Sequence, residues 1–302
     1  MIVSIVIPAY NSEKTITACL TSLCTQEYSE QYEIILCDSS VDQTPDIIKN
    51  RFPGIIYHHF EQKTDPGTAR TYGIKVAKGE LILFIDSDCR AEPDWIKKIV
   101  QMHQTYPEAA AVGGSALNGN DENDLIGWAS YMSEFREFIP EQPRAYVAHI
   151  PTLNISYKKW VFEKYGFFDP YYYPQEDLVF NYAITRGGHH ILFDPAIRVW
   201  HTHRSAWSDF LKHQQKIGEI TAQVLKILPL SGSWLARNKI LYLFLGPLLP
   251  VVKFFKTCCL FLRKRPLLLF RHPLSIPVLA MGLAYWFRGF SKGVFSKKMR
   301  GL

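Results

Sequence analysis

Short apolar runs alternate with helix-period stretches through the first 118 residues. Val3 to Ile7 is uncharged and apolar, and Asn11-Ser12 then caps a helical pattern that runs to Gln26. Glu33 to Cys37, Ile55 to His59, Leu81 to Ile85 and Ala109 to Val112 read as further strands. Between them, Pro45 to Arg51, the segment from Pro66 to Gly79, and Pro93 to Thr105 read as helices; Ala69, Tyr72, Val76 and Ala77 share one face of the second. Strands alternating with helices at this spacing predict an α/β fold with a mostly parallel, doubly wound sheet.

The alternation weakens after residue 118. Asn118 to Asp124 is a polar loop, Leu125 to Phe138 is helical and aromatic-rich, and Pro151 to Tyr157 and Gly166 to Pro174 read as irregular. Gln175-Glu176-Asp177 opens a helix that Gly187-Gly188 closes. Acidic residues favour a helix start, so a cap accounts for Glu176-Asp177 as well as chemistry does. Ile191 to Phe193 and Ile197 to Trp200 look like a strand pair leading to His201-Thr202-His203-Arg204, and Trp207 to Leu228 has an apolar helical stripe.

In doubly wound sheets ligands bind beyond the carboxyl ends of the strands. Pro8-Ala9-Tyr10, Asp38 and Asp86-Ser87-Asp88 all fall at such ends. In extended backbone residues i and i+2 point to one side, which would bring Asp86 and Asp88 together. Two close carboxylates repel unless a cation lies between them, and oxygen ligands suit Mg²⁺ or Mn²⁺ bridging to phosphates. A plain strand-closing turn is the competing reading. His201 and His203 are also i, i+2, and an imidazole near carboxylates would suit a Mn²⁺-type site. No G-x-G-x-x-G follows the first strand and no G-x-x-x-x-G-K-[ST] occurs, which argues against dinucleotide and P-loop chemistry.

The net charge of +6 divides unevenly along the chain. No Asp or Glu follows Glu219, whereas fourteen Lys and Arg do, so an acidic segment precedes a basic, apolar tail. Such a tail points to an anionic surface, and it is too apolar for a solvated nucleic-acid arm. Its uncharged runs, Ile240 to Val252 and Pro273 to Phe287, are shorter than the ~18–20 residues of a spanning helix and contain Pro247, Pro250 and Pro277. Amphipathic helices in the membrane interface are the expectation; a spanning hairpin or an apolar cover over the globular part are the alternatives. Six cysteines without Cys-x-x-Cys spacing fit a reducing compartment, and the N-terminus reads as a strand rather than a signal peptide.

These motifs together resemble the family 2 inverting glycosyltransferases, with their nucleotide-diphosphosugar-transferase (GT-A) fold, from about Ser4 to Arg204. Ser4 to Asn11 is similar to the family's first strand and loop, and Glu33 to Thr44 to its second strand. Gly67-Thr68-Ala69-Arg70-Thr71-Tyr72-Gly73-Ile74 resembles G-x-x-A-R-N-x-G-I, with Thr71 where Asn is usual. Gly79 to Asp88 resembles the D-x-D segment, and Gln175-Glu176-Asp177-Leu178 the E-D motif. The resemblance implies a nucleotide-diphosphate-sugar donor bound by Pro8, Ala9, Tyr10, Asp38, Arg70, Asp86 and Ser87. It implies a divalent metal, Mn²⁺ or Mg²⁺, on Asp88 and Asp86, with His201 or His203 completing its shell. Asp177 is the implied general base, with Glu176 the less favoured base or an acceptor-orienting group. The implied product is a cell-envelope glycan or glycolipid, made from a glycan or lipid-linked acceptor on the inner face of the cell membrane by a cytoplasmic catalytic domain. Residues 1–118 would form its nucleotide-sugar half, 119–205 its acceptor half, and 206–302 a membrane-associated helical region. A non-catalytic, membrane-docked nucleotide-sugar binder and a nucleotidyltransferase are the competing functions. The pattern names no oligomeric state.

Overall fold

A computed structural model describes residues 2–297. The first strands and helices are β1 (Val3–Ala9), α1 (Ile16–Cys24), β2 (Tyr32–Asp38), α2 (Thr44–Arg51), β3 (Ile56–His59) and α3 (Pro66–Val76). They are followed by β4 (Leu81–Phe84), β5 (Cys89–Ala91), α4 (Trp95–Thr105), β6 (Ala109–Asn118), α5 (Leu125–Glu134) and β7 (Ala145–Val147). Next come β8 (Ile155–Lys158), α6 (Trp160–Tyr165), α7 (Glu176–Arg186) and β9 (His190–His201). The last helices are α8 (Trp207–Ile227), α9 (Ser233–Arg237), α10 (Lys239–Leu245), α11 (Leu248–Lys264), α12 (Pro266–Arg271) and α13 (Ser275–Phe295). The chain divides into two compact units: residues 1–119 with 138–202, and residues 120–137 with 203–302.

The first unit holds a mixed sheet in the order β3-β2-β1-β4-β8-β6-β9-β5, with β7 also paired to β9. β3, β2, β1 and β4 are mutually parallel, as are β6 and β9, while β8 runs antiparallel between β4 and β6. Parallel β1 and β2 are in register at their ends, with Ala9 opposite Asp38, so both chains leave the sheet at one level. Every residue of β1 and β4 is buried, which is why both read as unbroken apolar runs rather than alternating ones. α3 packs on β1 at Gly73, where a Cβ would lie 2.4 Å from Val6 Cγ1.

Two local expectations give way to tertiary pairing, and one short strand joins them unannounced. Ile155–Lys158, read as irregular, is the strand β8 that links the two parallel blocks. The expected strand pair between Ile191 and Trp200 is one strand, β9, which absorbs a register shift against β6 between Gly114 and Ser115. Cys89–Ala91 forms the short edge strand β5 on β9. Asn154 is fully buried: its Nδ2 donates to Ser115 O and Ile197 O, and its Oδ1 accepts from Trp95 Nε1.

An aromatic cluster ties α7 to the central sheet. Phe168 packs 5.4 Å from Phe84 on β4 and 4.8 Å from Phe180 on α7, measured between ring centroids. Phe84 is two residues before Asp86 and Phe180 three after Asp177, so the packing that stabilises the core also fixes two polar segments. Each such aromatic pair is worth about 0.5–1.5 kcal/mol beyond its buried area.

In the second unit α8 and α13 pack along one another, with α9 and α11 against them. Ala222, Leu235, Tyr242, Trp286 and Phe290 form its buried core. α13 presents Gly218-facing backbone at Trp286 and its own Gly289 to Gln215, approaches a Cβ would block at 1.9 Å in both cases. The segment 120–137 belongs to this unit, although the sequence reading grouped it with 119–205.

Candidate active site

The carboxyl ends of β1, β2 and β3 build one wall. Asn11, just beyond β1, has a left-handed backbone (φ 51°), which Asn tolerates better than most residues. Its N–H donates to Ser40 Oγ at 2.7 Å, and its Oδ1 accepts from Val41 N at 3.0 Å. Asp38 is fully buried. Its Oδ1 accepts from Ser40 N and Ser40 Oγ, and its Oδ2 accepts from Tyr57 Oη at 2.9 Å and pairs with His59 Nδ1 at 2.8 Å. Asp38 therefore organises the wall rather than presenting its carboxylate to solvent. Pro8 and Ala9 are buried in β1, and Tyr10 beyond them is exposed, with Lys63 Nζ 4.1 Å from its ring centroid. Tyr57 and His59 were missed in the sequence. The sequence placed His59 at the end of a strand, but only the register of β3 on β2 sets it opposite Asp38.

The Asp86 segment differs from its sequence reading. Cys89 N–H donates to Asp86 O at 3.0 Å, which closes a turn over Asp86-Ser87-Asp88-Cys89 instead of extending β4. The i, i+2 rule for strands does not hold across a turn, and the two carboxylates take different partners. Asp86 Oδ1 accepts from Arg70 Nη2 at 2.6 Å, whereas Asp88 Oδ1 lies 3.4 Å from His201 Nε2. Ser87 Oγ is hydrogen-bonded to Ser12 Oγ at 2.8 Å, holding the turn to the loop after β1.

Arg70 is the hub. It lies on the buried face of α3 with Gly67 and Ile74, each one turn away, and is 4% exposed. Asp65 caps this helix by accepting from Thr68 N at 2.9 Å. Besides Asp86, Arg70 donates through Nη1 to Glu176 Oε1 at 3.0 Å, joining the end of β4 to the start of α7. Burial opposes the Arg70 charge, but the carboxylates of Asp86 and Glu176 outweigh it and raise its pKa. Burial, and then the neighbouring Asp177, push the Glu176 carboxyl up to about 7, with Arg70 pulling the other way. Glu176 Oε2 and Arg70 Nε are buried without a hydrogen-bond partner.

Asp177 is half-buried beside this network. Its Oδ2 accepts from Thr152 N at 3.2 Å and its Oδ1 from Leu178 N at 2.7 Å, which fixes the carboxylate and leaves acceptor capacity on it. Thr152 was not anticipated, because its contribution is a backbone N–H that any residue supplies.

Asp88, Cys89 and His201 bring one ligand atom each to within 4.8 Å of one another. The strands explain this: His201, the last residue of β9, is in register with Cys89 on β5. Burial, reinforced by Asp88 and Asp86, raises the Cys89 thiol well above its ordinary pKa. The carboxylate and the imidazole of this group are donors that fit Mn²⁺. Asp86 and His203 are not in this group. His203 belongs to the second unit, where its ring centroid lies 5.8 Å from Tyr131 and 5.4 Å from Phe135.

Comparison with known proteins agrees with this architecture. A glucosyl-dolichyl phosphate glucuronosyltransferase of Haloferax volcanii is 26% identical over 188 residues, 56% of each protein, so the match spans little more than half of that relative. A Methanococcus voltae enzyme, named a dolichyl N-acetyl-glucosaminyl phosphate diacetamido-dideoxy-glucuronosyltransferase, is 26% identical over 231 residues, 72% of this chain and 71% of the relative. Among solved structures, Staphylococcus aureus TarS with UDP superposes with a TM-score of 0.51 at 19% identity, covering 94% of this chain and 90% of that one. A mannosyltransferase of Pyrobaculum calidifontis with GDP-Man and Mn²⁺ gives 0.63 at 16% identity, covering 98% and 88%. At these identities the structural likeness is one of fold, and the fold is the GT-A type expected from the sequence. The family model for glycosyl transferase family 2 matches residues 4–166, more than half of the protein, and the chain belongs to that family.

Proposed function

We propose that this protein transfers a sugar from a nucleotide-diphosphate donor to an acceptor hydroxyl, with inversion at the anomeric carbon. The observation that carries the reading is the bridge from Asp86 through Arg70 to Glu176, which ties the turn after β4 to the helix that bears Asp177. The nucleoside lies against the wall made by Tyr10 and the loop that Asp38 braces, and Arg70, buried between Asp86 and Glu176, holds the turn after β4 in place beside it. Asp88 and His201 hold the divalent cation, Mn²⁺ in preference to Mg²⁺ because one donor is an imidazole. When bound, the metal offsets the negative charge that grows on the leaving diphosphate.

Asp177 takes the proton from the acceptor hydroxyl as that oxygen attacks. Its two backbone hydrogen bonds hold the carboxylate in one orientation, as a general base requires. Glu176, 4% exposed and paired with Arg70, positions the network instead of touching the acceptor. The relatives' names, those of transferases acting on dolichyl-phosphate-linked sugars, support a lipid-linked acceptor.

The test is a panel of UDP- and GDP-sugars assayed for nucleoside diphosphate release with and without Mn²⁺, alongside Asp177→Asn. A donor at 100-fold its Kd should stabilise the wild type and this variant alike, by ~2.7 kcal/mol. Turnover of the variant should fall by about 10²–10⁴-fold. Near-normal turnover removes Asp177 from the base role, and donor binding without turnover in the wild type would leave a nucleotide-sugar binder.

A further inference from the structure

α11 turns a row of apolar side chains outward. Its exposed side carries Leu248, Val252, Phe255 and Leu262 at spacings of three, four and seven residues. Two of its polar groups turn inward, where Lys253 Nζ lies 4.0 Å from the Trp286 ring centroid and Thr257 Oγ1 accepts from Arg136 Nη1 at 2.8 Å, while Lys256, Arg263 and Lys264 stay exposed among the apolar side chains. A helix packed on a water-soluble core shows the opposite arrangement. The flanking helices continue the exposed apolar surface, with Phe244 of α10 at 76% and Phe270 of α12 at 74% exposure. Contiguous exposure on this scale marks an interaction surface.

Charge identifies the occupant. Lys239, Lys256, Arg263, Lys264 and Arg271 are exposed on these same three helices, and no acidic residue occurs anywhere after Glu219. A second copy of this surface would set like charges against each other, whereas anionic lipid headgroups complement them. Length argues for lying in the interface. Among the described residues no single helix is long and apolar enough to cross a membrane, and the one pair that passes together, α10 with α11, is bent by 59°. α11 itself spans ~25 Å at 1.5 Å per residue, and Lys256 and Arg263 lie on its apolar side, where long stems can carry their charges to the headgroups.

We propose that α10, α11 and α12 form a monotopic docking face that inserts its apolar side chains into an anionic membrane surface. The inference goes beyond the transfer reaction and needs no substrate, so its failure would leave the proposed activity standing, and the reverse holds as well.

The experiment is co-sedimentation of the full chain with phosphatidylcholine vesicles and with vesicles containing about one-third phosphatidylglycerol. Binding should require the anionic lipid and weaken in about 0.5 M NaCl, where screening acts within ~4 Å. Phe244→Ser/Phe255→Ser/Phe270→Ser should lower affinity at least about tenfold with an unchanged thermal transition, because these side chains are exposed. Lys256→Glu/Arg263→Glu/Arg271→Glu should do the same through charge and guards against a folding defect in the first variant. Alkaline carbonate should strip the protein from cell membranes. Equal sedimentation with and without vesicles would overturn the proposal, as would wild-type binding by both variants or retention after carbonate, which means a spanning segment. Loss of a dimer in the Phe variant, without any vesicle binding by the wild type, would assign the face to a second copy instead.

Discussion

Replacing Arg70 by Met should expose how the site is held together. The guanidinium is 4% exposed and bonded to Asp86 at 2.6 Å and Glu176 at 3.0 Å, so its removal leaves two carboxylates without their counter-charge. Asp86, with 28% of its side chain exposed, keeps water; Glu176, at 4%, does not. Breaking a buried pair in this way costs about 3–5 kcal/mol when the remaining charge cannot escape. Glu176 has an escape, because burial already pushes its carboxyl up to about 7 with Arg70 present, and without Arg70 it rises further. A carboxyl whose folded pKa is raised contributes stability that is complete below its ordinary value near 4.5 and is lost as pH climbs through the folded value. The Arg70→Met cost should therefore be about 1 kcal/mol at pH 5, where Glu176 is protonated with or without Arg70, and rise to about 2–2.5 kcal/mol at pH 8, because keeping the proton on a group that otherwise loses it near 7 costs about 1.4 kcal/mol per pH unit. Adding Glu176→Gln removes the charge that has to be buried, so the double variant should recover roughly 1–1.5 kcal/mol at pH 8 and nothing at pH 5. Urea unfolding followed by circular dichroism at the two pH values measures all four corners of the cycle. A cost that is the same at both pH values, or a double variant as unstable at pH 8 as Arg70→Met, would refute the assignment of Glu176 as the stranded charge.

Other substitutions probe the remaining parts. Asp38→Ala strands the Ser40, Tyr57 and His59 donors, and should cost about 2–4 kcal/mol in urea unfolding and weaken donor binding about tenfold in calorimetry. Unchanged donor affinity would separate Asp38 from the nucleoside wall. His201→Ala should raise the Mn²⁺ concentration for half-maximal activity about tenfold or more, whereas Glu176→Gln should leave it unchanged. Gly73→Ala drives a Cβ to 2.4 Å from Val6 Cγ1 and should cost about 1–3 kcal/mol, read as a lowered thermal transition.

The alternation of apolar runs with helical periods was enough to read β1 to β4 and α1 to α4; β1 and β4, buried on both faces, carry the pattern most plainly in their own residues. The strand-end rule then located Asp38, Asp86 and Asp88, since a carboxylate after an apolar run has few places to go. The same rule misjudged their geometry. Strand alternation predicts a shared side for Asp86 and Asp88, and a hydrogen bond from Cys89 to Asp86, invisible in composition, turns them to different partners. The tail was legible as basic and apolar, whereas the direction in which α11 points its apolar stripe was not.

By itself, then, the sequence determined the parallel half of the sheet, the family, and the residue types gathered at the strand ends, because those follow from local periodicity and short motifs. Only the tertiary structure decided that β8 bridges the parallel blocks, that Arg70 spans Asp86 and Glu176 across more than a hundred residues of chain, and that His201 reaches Asp88 while His203 packs among the rings of the second unit. Those choices depend on strand register and on which buried charges can find partners. Both are energies of the assembled core, written in no single segment.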